Sequence, residues 1–299
     1  YHGFVNATLK KISKQKDVLK DIKIDFNDLP IWFINKTKNF SKKEKTNFIR
    51  EFINEPSLHL VFKKKEDLLK FNHKIKLTSE VSCFLDEKIL VENLSFYKEG
   101  VWWVQDFSSF FPLYAISNNL LKGSNIDLCS APGGKSFQVL SKDKKINLNE
   151  ISIERTKILK DNLRRLNYEA EITNFDILEL DLKKKYDFVL LDSPCSSIGT
   201  IRKNPEIFFR KKGPNFNYLL ELQKKILNKA AELLNQNGVL LYMVCSFLEE
   251  ETFLQVENFL RKNNKFKIRN FFINSSQKYN FLIKDKFIHT HLSNIENYK

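Results

Sequence analysis

The chain has 299 residues, enough for one large domain or two ordinary ones with a substantial core. Its 42% hydrophobic and 13% aromatic content excludes a disordered chain, and no apolar run approaches the roughly 18 residues of a membrane span. A net charge of +14 favours a polyanionic partner such as RNA or DNA, although only eight of the 50 basic residues are arginine and the Lys-, Asn-, Ile- and Phe-rich composition also fits AT-rich coding. Cys83, Cys129, Cys195 and Cys245 form no C-x-x-C pair, and the histidines add no ligand-spaced cluster, so no metal site is expected. His289 and His291 read as an exposed strand face. With no charged-then-apolar leader, the expected location is the cytoplasm with reduced thiols. The opening residue, Tyr1, lies inside a helical pattern, and further sequence is expected before it.

From Gly3 to about Phe52 the pattern is helical. Phe4, Val5, Leu9 and Ile12 recur at three- and four-residue steps, and Ser41-Lys-Lys-Glu44 fits a capping box opening a helix through Phe52. Residues from about Ser57 to Glu99 mix short strands, Leu58 to Phe62 and Glu80 to Phe84, with a helix around Glu66 to Phe71, which suggests a small α/β subdomain. Lys63-Lys64-Lys65 there can touch phosphate or simply face solvent. After Gly100, apolar runs at Ile126 to Cys129, Lys145 to Asn149, Ala170 to Thr173, Asp187 to Leu191 and Val239 to Val244 alternate with helices such as Ile153 to Leu166 and Tyr218 to Leu234. They imply an α/β domain with a mostly parallel, Rossmann-like sheet covered by helices on both faces. Phe266 to Ile288 reads as additional strands that form an antiparallel edge. The expected units are 1–55, 56–99 and 100–299.

In such a sheet, ligands gather at the carboxyl ends of the strands. The first strand runs into Asp127-Leu-Cys-Ser-Ala-Pro-Gly-Gly-Lys-Ser136, whose Gly134-Lys135-Ser136 mimics the end of a P-loop. Cys129 stands where that motif needs its first glycine, and Pro132 stiffens the turn, so a triphosphate loop is not expected. Two glycines still permit a close backbone approach to a ligand. Glu150, at the second strand end, is placed to accept ribose hydroxyls, and Asp176, after the third, to take an adenine amino group. An adenosine site without a pyrophosphate anchor suits S-adenosylmethionine better than NAD. The fourth and fifth strands lead to Asp192-Ser-Pro-Cys195 and to Cys245, two thiols at the ligand edge of one sheet. Cys83 and Cys129 read instead as packing residues.

Three stretches, Asp127 to Lys135, Asp192-Ser-Pro-Cys-Ser196 with Gly199 and Pro205, and Cys245-Ser246 with Glu249-Glu250, resemble in order and strand position the signatures of the RNA cytosine-5 methyltransferases. The bacterial small-subunit ribosomal RNA branch, the Sun or RsmB type, is the most similar: "VWWVQDFSSFFPLYAI" resembles its segment before the first strand, and "GFVNATLKKI" resembles the end of its NusB-like RNA-binding domain. The resemblance implies a Rossmann-like S-adenosylmethionine-dependent methyltransferase domain with amino-terminal helical and small α/β RNA-binding elements. Its cofactor contacts would be Cys129, Ser130, Ala131, Pro132, Gly133, Gly134 and Lys135, with Glu150, Asp176 and Asp192. Cys245 would be the nucleophile, Cys195 the cysteine that helps release product, and Asp192 also a contact to the target base. Small-subunit ribosomal RNA would be the partner and the chain a monomer. Val244 stands where the family usually has Thr, and "DKFIHTHLSNIENYK" matches only loosely where the family has an Asp-Gly-Phe-Phe-like strand.

The implied chemistry needs thiols. Cytosine C5 is a poor nucleophile until a thiolate adds at C6 and makes the ring an enamine. The ring must also leave any stack before sulfur can reach it. Two alternatives remain: a DNA cytosine-5 methyltransferase, which would use Pro194-Cys195 and leave Cys245 without a role, and a non-catalytic RNA-binding assembly protein.

Overall fold

The computed structural model describes residues 1–269, apart from 16, 19–21, 55 and 211, and the pairs 283–284 and 287–288. Helix α1 (His2–Lys14) leaves its apolar side chains Phe4, Val5, Leu9 and Ile12 open to solvent. A 3-10 turn, Phe26–Asp28, then leads through Pro30 into α2 (Ile31–Lys36) and α3 (Lys42–Phe52). The expected capping box opens α3: Ser41 Oγ accepts from Glu44 N at 3.3 Å, and Ser41 N donates to Glu44 Oε2 at 2.8 Å. Phe33 and Phe48, both fully buried, do not pack only among themselves. Their aromatic core includes Ile198, Ile201, Phe208 and Leu248, and the Phe33 and Phe208 rings lie 4.9 Å apart. Each such side chain contributes about 1.5–3 kcal/mol by leaving water, so the helical segment and the loops around residues 198–208 and 247–248 stabilise one another.

The next sheet is antiparallel, built from β1 (Leu58–Phe62), β2 (Ile75–Ser79), β3 (Ser82–Leu85) and β4 (Trp102–Val104) in the order β2-β3-β1-β4, with the short helix α4 (Lys65–Leu69) after β1. The strands expected at Leu58 and Glu80 are present, and β2 and β4 join them. Lys63 is engaged within the fold: its Nζ donates to Leu166 O and lies 4.5 Å from the Tyr168 ring centroid, while Lys64 and Lys65 are exposed. Burial beside the ring holds the Lys63 ammonium below its usual range.

Helix α5 (Phe107–Tyr114) connects to the larger sheet, whose strands are β5 (Asn125–Asp127), β6 (Asn147–Asn149), β7 (Ile172–Thr173), β8 (Tyr186–Asp192) and β9 (Leu234–Met243). All pairs are parallel, in the order β7-β6-β5-β8-β9. Helices α6 (Gly134–Leu140), α7 (Ile153–Arg165) and α8 (Phe216–Glu232) are the crossovers, and α9 (Phe253–Lys262) follows β9. Strand β8 shows why the apolar runs read as buried strands. Phe188 and Leu190 enter one core, Val189 and Leu191 the other, and all four are fully buried. The chain passes from β5 to β6 on one side and later to β8 on the other, so the carboxyl end of β5 is the topological switch point where a ligand crevice opens. This is the Rossmann-like α/β fold expected.

The carboxyl-terminal strands are only partly described. β10 (Ile283–Lys284) and β11 (Phe287–Ile288) pair antiparallel as a separate two-stranded sheet. Residues 266–269 are not strand; the rest of the expected 266–288 strands, His289, His291 and most of the last segment lie outside the described residues.

Candidate active site

The β5 carboxyl end is held by Asp127, which is buried. Its Oδ2 accepts from Ser136 Oγ at 2.5 Å and its Oδ1 from Cys129 N at 3.2 Å, while burial pushes the carboxyl up to about 6. Ser130 stitches this loop to β6, donating from Oγ to Asp127 O at 2.8 Å and from N to Asn149 O at 2.9 Å. The Ala131–Pro132 bond is cis. Gly133 has φ +117°, and a Cβ there would lie 2.0 Å from the Phe137 ring, so this turn accepts only glycine before α6 begins at Gly134. Cys129 is half-buried against the second core, and burial with Asp127 nearby raises its thiol. Cys83 is fully buried and its thiol is pushed up to about 12 by burial. Both observations fit packing.

Glu150, 1% exposed, accepts from Ala131 N at 3.2 Å and Ser152 N at 3.0 Å, with Arg155 at 3.3 Å. Arg155 also donates to Ala131 O. The neighbouring Asn149 ties three strand ends together: its Nδ2 donates to Leu128 O at 3.3 Å and Phe175 O at 3.0 Å, and its Oδ1 accepts from Thr173 Oγ1 at 2.9 Å. Asp176, half-buried on the next loop, caps the turn Ile177–Glu179 by accepting from Leu178 N at 2.9 Å.

On the other side of the switch point, Lys135 does not behave as a P-loop lysine. Its Nζ donates to Asp192 Oδ2 at 2.5 Å, at the end of β8. Burial alone would lower this ammonium, but Asp192, with Cys245 and Asp127, outweighs it and holds Lys135 above its usual range. The two thiol loops run side by side. Ser193 N donates to Met243 O at 2.9 Å, Gly199 N to Cys245 O at 2.9 Å, and Cys245 N to Cys195 Sγ at 3.2 Å. A cleft bounded by α2, α5 and these loops is walled in part by Asp106, Lys135, Asp192, Lys203 and Cys245. Cys195 is not among the residues that line that cleft. A hydrogen bond from the Cys195 thiol lowers Cys245 against the opposing effect of burial, with Lys135 adding to the lowering. The same bond, burial and the charge of Glu251 raise Cys195. The arrangement thus favours Cys245 as the thiolate and Cys195 as its donor.

Residue types at strand ends suggested the acids and thiols, but not their supports. Asn149 and Arg155 gave no motif. Glu251 is fully buried, and a signal for it was present: Leu248, Glu251, Gln255 and Phe259 recur at three- and four-residue steps, and all four are buried.

The cofactor-side groups fit an adenosyl ligand. They comprise carboxylates at adjacent strand ends, a glycine turn packed against Phe137 and Gln105, and a loop lysine turned to Asp192 rather than to a phosphate. Among the described residues no His, Cys, Asp or Glu cluster could hold a metal, and no helix is long and apolar enough to cross a membrane. Fold and site together define a Rossmann-like methyltransferase, a class whose methyl donor is S-adenosylmethionine. The model of the family described as 16S rRNA methyltransferase RsmB/F matches residues 119–294, more than half of the sequence, and the chain belongs to that family. It is 27% identical over 287 residues to ribosomal RNA small subunit methyltransferase B of Pasteurella multocida, covering 88% of this chain and 63% of that protein. The Proteus mirabilis protein of the same name is 29% identical over 285 residues, covering 86% and 65%. The chain therefore spans less than two thirds of these curated relatives. Among solved structures, PH0851 has a TM-score of 0.72 at 24% identity, covering 85% of this chain and 62% of the other. NSun6 from Pyrococcus horikoshii, crystallised with SFG, has a TM-score of 0.68 at 17% identity, covering 86% and 94%. At these identities the two structures speak for the fold.

Proposed function

We propose that this chain is the catalytic part of an S-adenosylmethionine-dependent RNA cytosine-5 methyltransferase that acts on small-subunit ribosomal RNA as a monomer in the cytoplasm. The observation that carries the proposal is the thiol pair: Cys245 on the cleft wall, Cys195 with its Sγ 3.2 Å from Cys245 N, and the Lys135–Asp192 pair on the same wall. In the division proposed, 1–55 closes an RNA-binding helical domain, 56–99 is a small α/β subdomain, and 100–299 carries the chemistry.

When bound, S-adenosylmethionine supplies the electrophilic methyl group. Cys129 to Gly134 line its site, Glu150 takes the ribose hydroxyls and Asp176 the adenine amino group. Cys245, as thiolate, adds to C6 of a cytosine turned out of its stack, and electron density moves to C5. Asp192 accepts from N4–H and from N3 in its protonated form, with Lys135 keeping that carboxylate in place. After methylation, solvent water takes the C5 proton, its electron pair re-forms the C5–C6 double bond, the C6–S bond breaks and Cys245 leaves as a thiolate, which the Cys195 S–H stabilises.

The test divides the thiols. Cys245→Ala is expected to abolish both methyl transfer and any covalent protein–RNA adduct. Cys195→Ala still attacks and methylates but stalls as an adduct that survives denaturing electrophoresis. The reverse result, with the adduct kept in Cys245→Ala and lost in Cys195→Ala, would assign attack to Cys195 as in the DNA enzymes.

A further inference from the structure

The loop carrying Cys195 is gripped on both sides by side chains from elsewhere in the fold. Before the cysteine, Pro194 O accepts from Gln223 Nε2 of α8 at 3.0 Å. After it, Ser196 N donates to Glu251 Oε1 at 2.8 Å, and Ser196 Oγ donates to Glu251 Oε2. The two grips are one device, because Gln223 Nε2 also donates to Glu251 Oε1 at 3.0 Å. Glu251 is itself fixed, its carbonyl accepting from the Tyr242 hydroxyl of β9 at 2.8 Å. It stands six positions after Cys245, so the chain that presents one thiol holds the backbone of the other.

Glu251 and Gln223 are both fully buried, and these donors to the carboxylate are neutral. A buried carboxylate held by neutral donors costs more than an uncharged acceptor of the same shape would. What the charge adds is a field at Cys195, which disfavours a second thiolate there and keeps that sulfur a hydrogen-bond donor to Cys245. Geometry and charge therefore act in the same direction.

We propose that Glu251, working with Gln223, is a positioning residue that clamps the backbone on either side of Cys195 and so decides which of the two thiols reacts. The assignment rests on the two-thiol reading of the site, but its consequence, the selectivity of the free thiols, can be measured without RNA or cofactor. The experiment is alkylation of the full chain by iodoacetamide across neutral to alkaline pH, with Cys245 and Cys195 followed separately by mass spectrometry. In the unmodified sequence Cys245 is expected to react first. Glu251→Ala is expected to lower the ratio of Cys245 to Cys195 alkylation by about tenfold, the equivalent of one pKa unit between the two sulfurs. Glu251→Gln, which keeps an acceptor oxygen but not the charge, is expected to fall between the two. A ratio in Glu251→Ala within about twofold of the unmodified chain, less than the loss of one ordinary hydrogen bond would produce, overturns the proposal. If Glu251→Ala does not fold, Ser196→Ala, which removes only the hydroxyl arm, carries the test: a fall of about threefold supports the clamp and an unchanged ratio overturns it. Failure of the cytosine reading would appear separately, as absence of methyl transfer by the unmodified protein.

Discussion

Glu150 faces two demands on one carboxylate. It holds the cofactor loop through Ala131 N and Ser152 N, and in the proposed complex it also accepts the ribose hydroxyls. Charge-assisted hydrogen bonds of this kind contribute about 1.5–3 kcal/mol, so Glu150→Ala is expected to weaken S-adenosylhomocysteine binding by about 10- to 100-fold. Calorimetry measures this directly, and unchanged affinity would remove Glu150 from the cofactor site. The acid was legible because strand-end position and residue type are both local. So were Asp192 and Cys195, which follow one apolar run, and Cys245, which follows another. Gln223 was not: its partners Pro194 and Glu251 are 29 and 28 positions away, and no local pattern marks a helix residue that reaches two loops. Lys135 was legible as part of a motif, while the direction of its side chain, toward Asp192, depends on β5 and β8 being neighbours.

At the scale of elements, His59 links three pieces of the small sheet. Its Nδ1 donates to Gln105 O at 2.7 Å beyond β4, and its Nε2 accepts from Thr78 Oγ1 at 2.8 Å on β2, which requires the neutral ring. Burial lowers its pKa to about 4, against the hydrogen bond to Gln105. A depressed base stabilises the fold above the unfolded value of 6.5 and loses that contribution as pH falls through 4, about 3 kcal/mol in all. Asp127 on β5 has the opposite sign. Its folded value of about 6 exceeds the ordinary 3.8, so its contribution is present at low pH and is lost as pH rises through 6. Over the shared window of about pH 4 to 6 the two slopes oppose each other. Urea unfolding at both ends of that window is expected to show stability rising more steeply with pH in Asp127→Asn and less steeply in His59→Gln. Identical slopes in the two variants would show that neither group is proton-linked to folding. The long buried strands were readable from composition, because an apolar run covered on both faces needs no partner to be recognised. β2 and β4 were not. The first is an outer strand that leaves Leu77 55% exposed, and the second is three residues long.

Across the whole molecule, the aromatic core around Phe33 and Phe48 joins residues that sequence reading assigned to separate units. Apolar periodicity identified the helices that contribute to it, but periodicity reports a buried face and not what covers it, so the loops at Ile198, Phe208 and Leu248 could not be matched to that face. Phe48→Ala is expected to cost about 3–5 kcal/mol. Because the core is shared, the loss should appear in one cooperative transition, with tryptophan fluorescence and Cys245 alkylation changing together as denaturant rises. Separate transitions for the two probes would show that the helical segment folds on its own. The shared core also has a consequence for exchange between relatives. A chimera that takes residues 26–52 from another member of the family inherits half of an interdigitated set of rings, and the receiving loops around residues 198–208 and 247–248 must be imported with it. In this scaffold the helical segment and the loop that follows Cys245 form a single unit of inheritance.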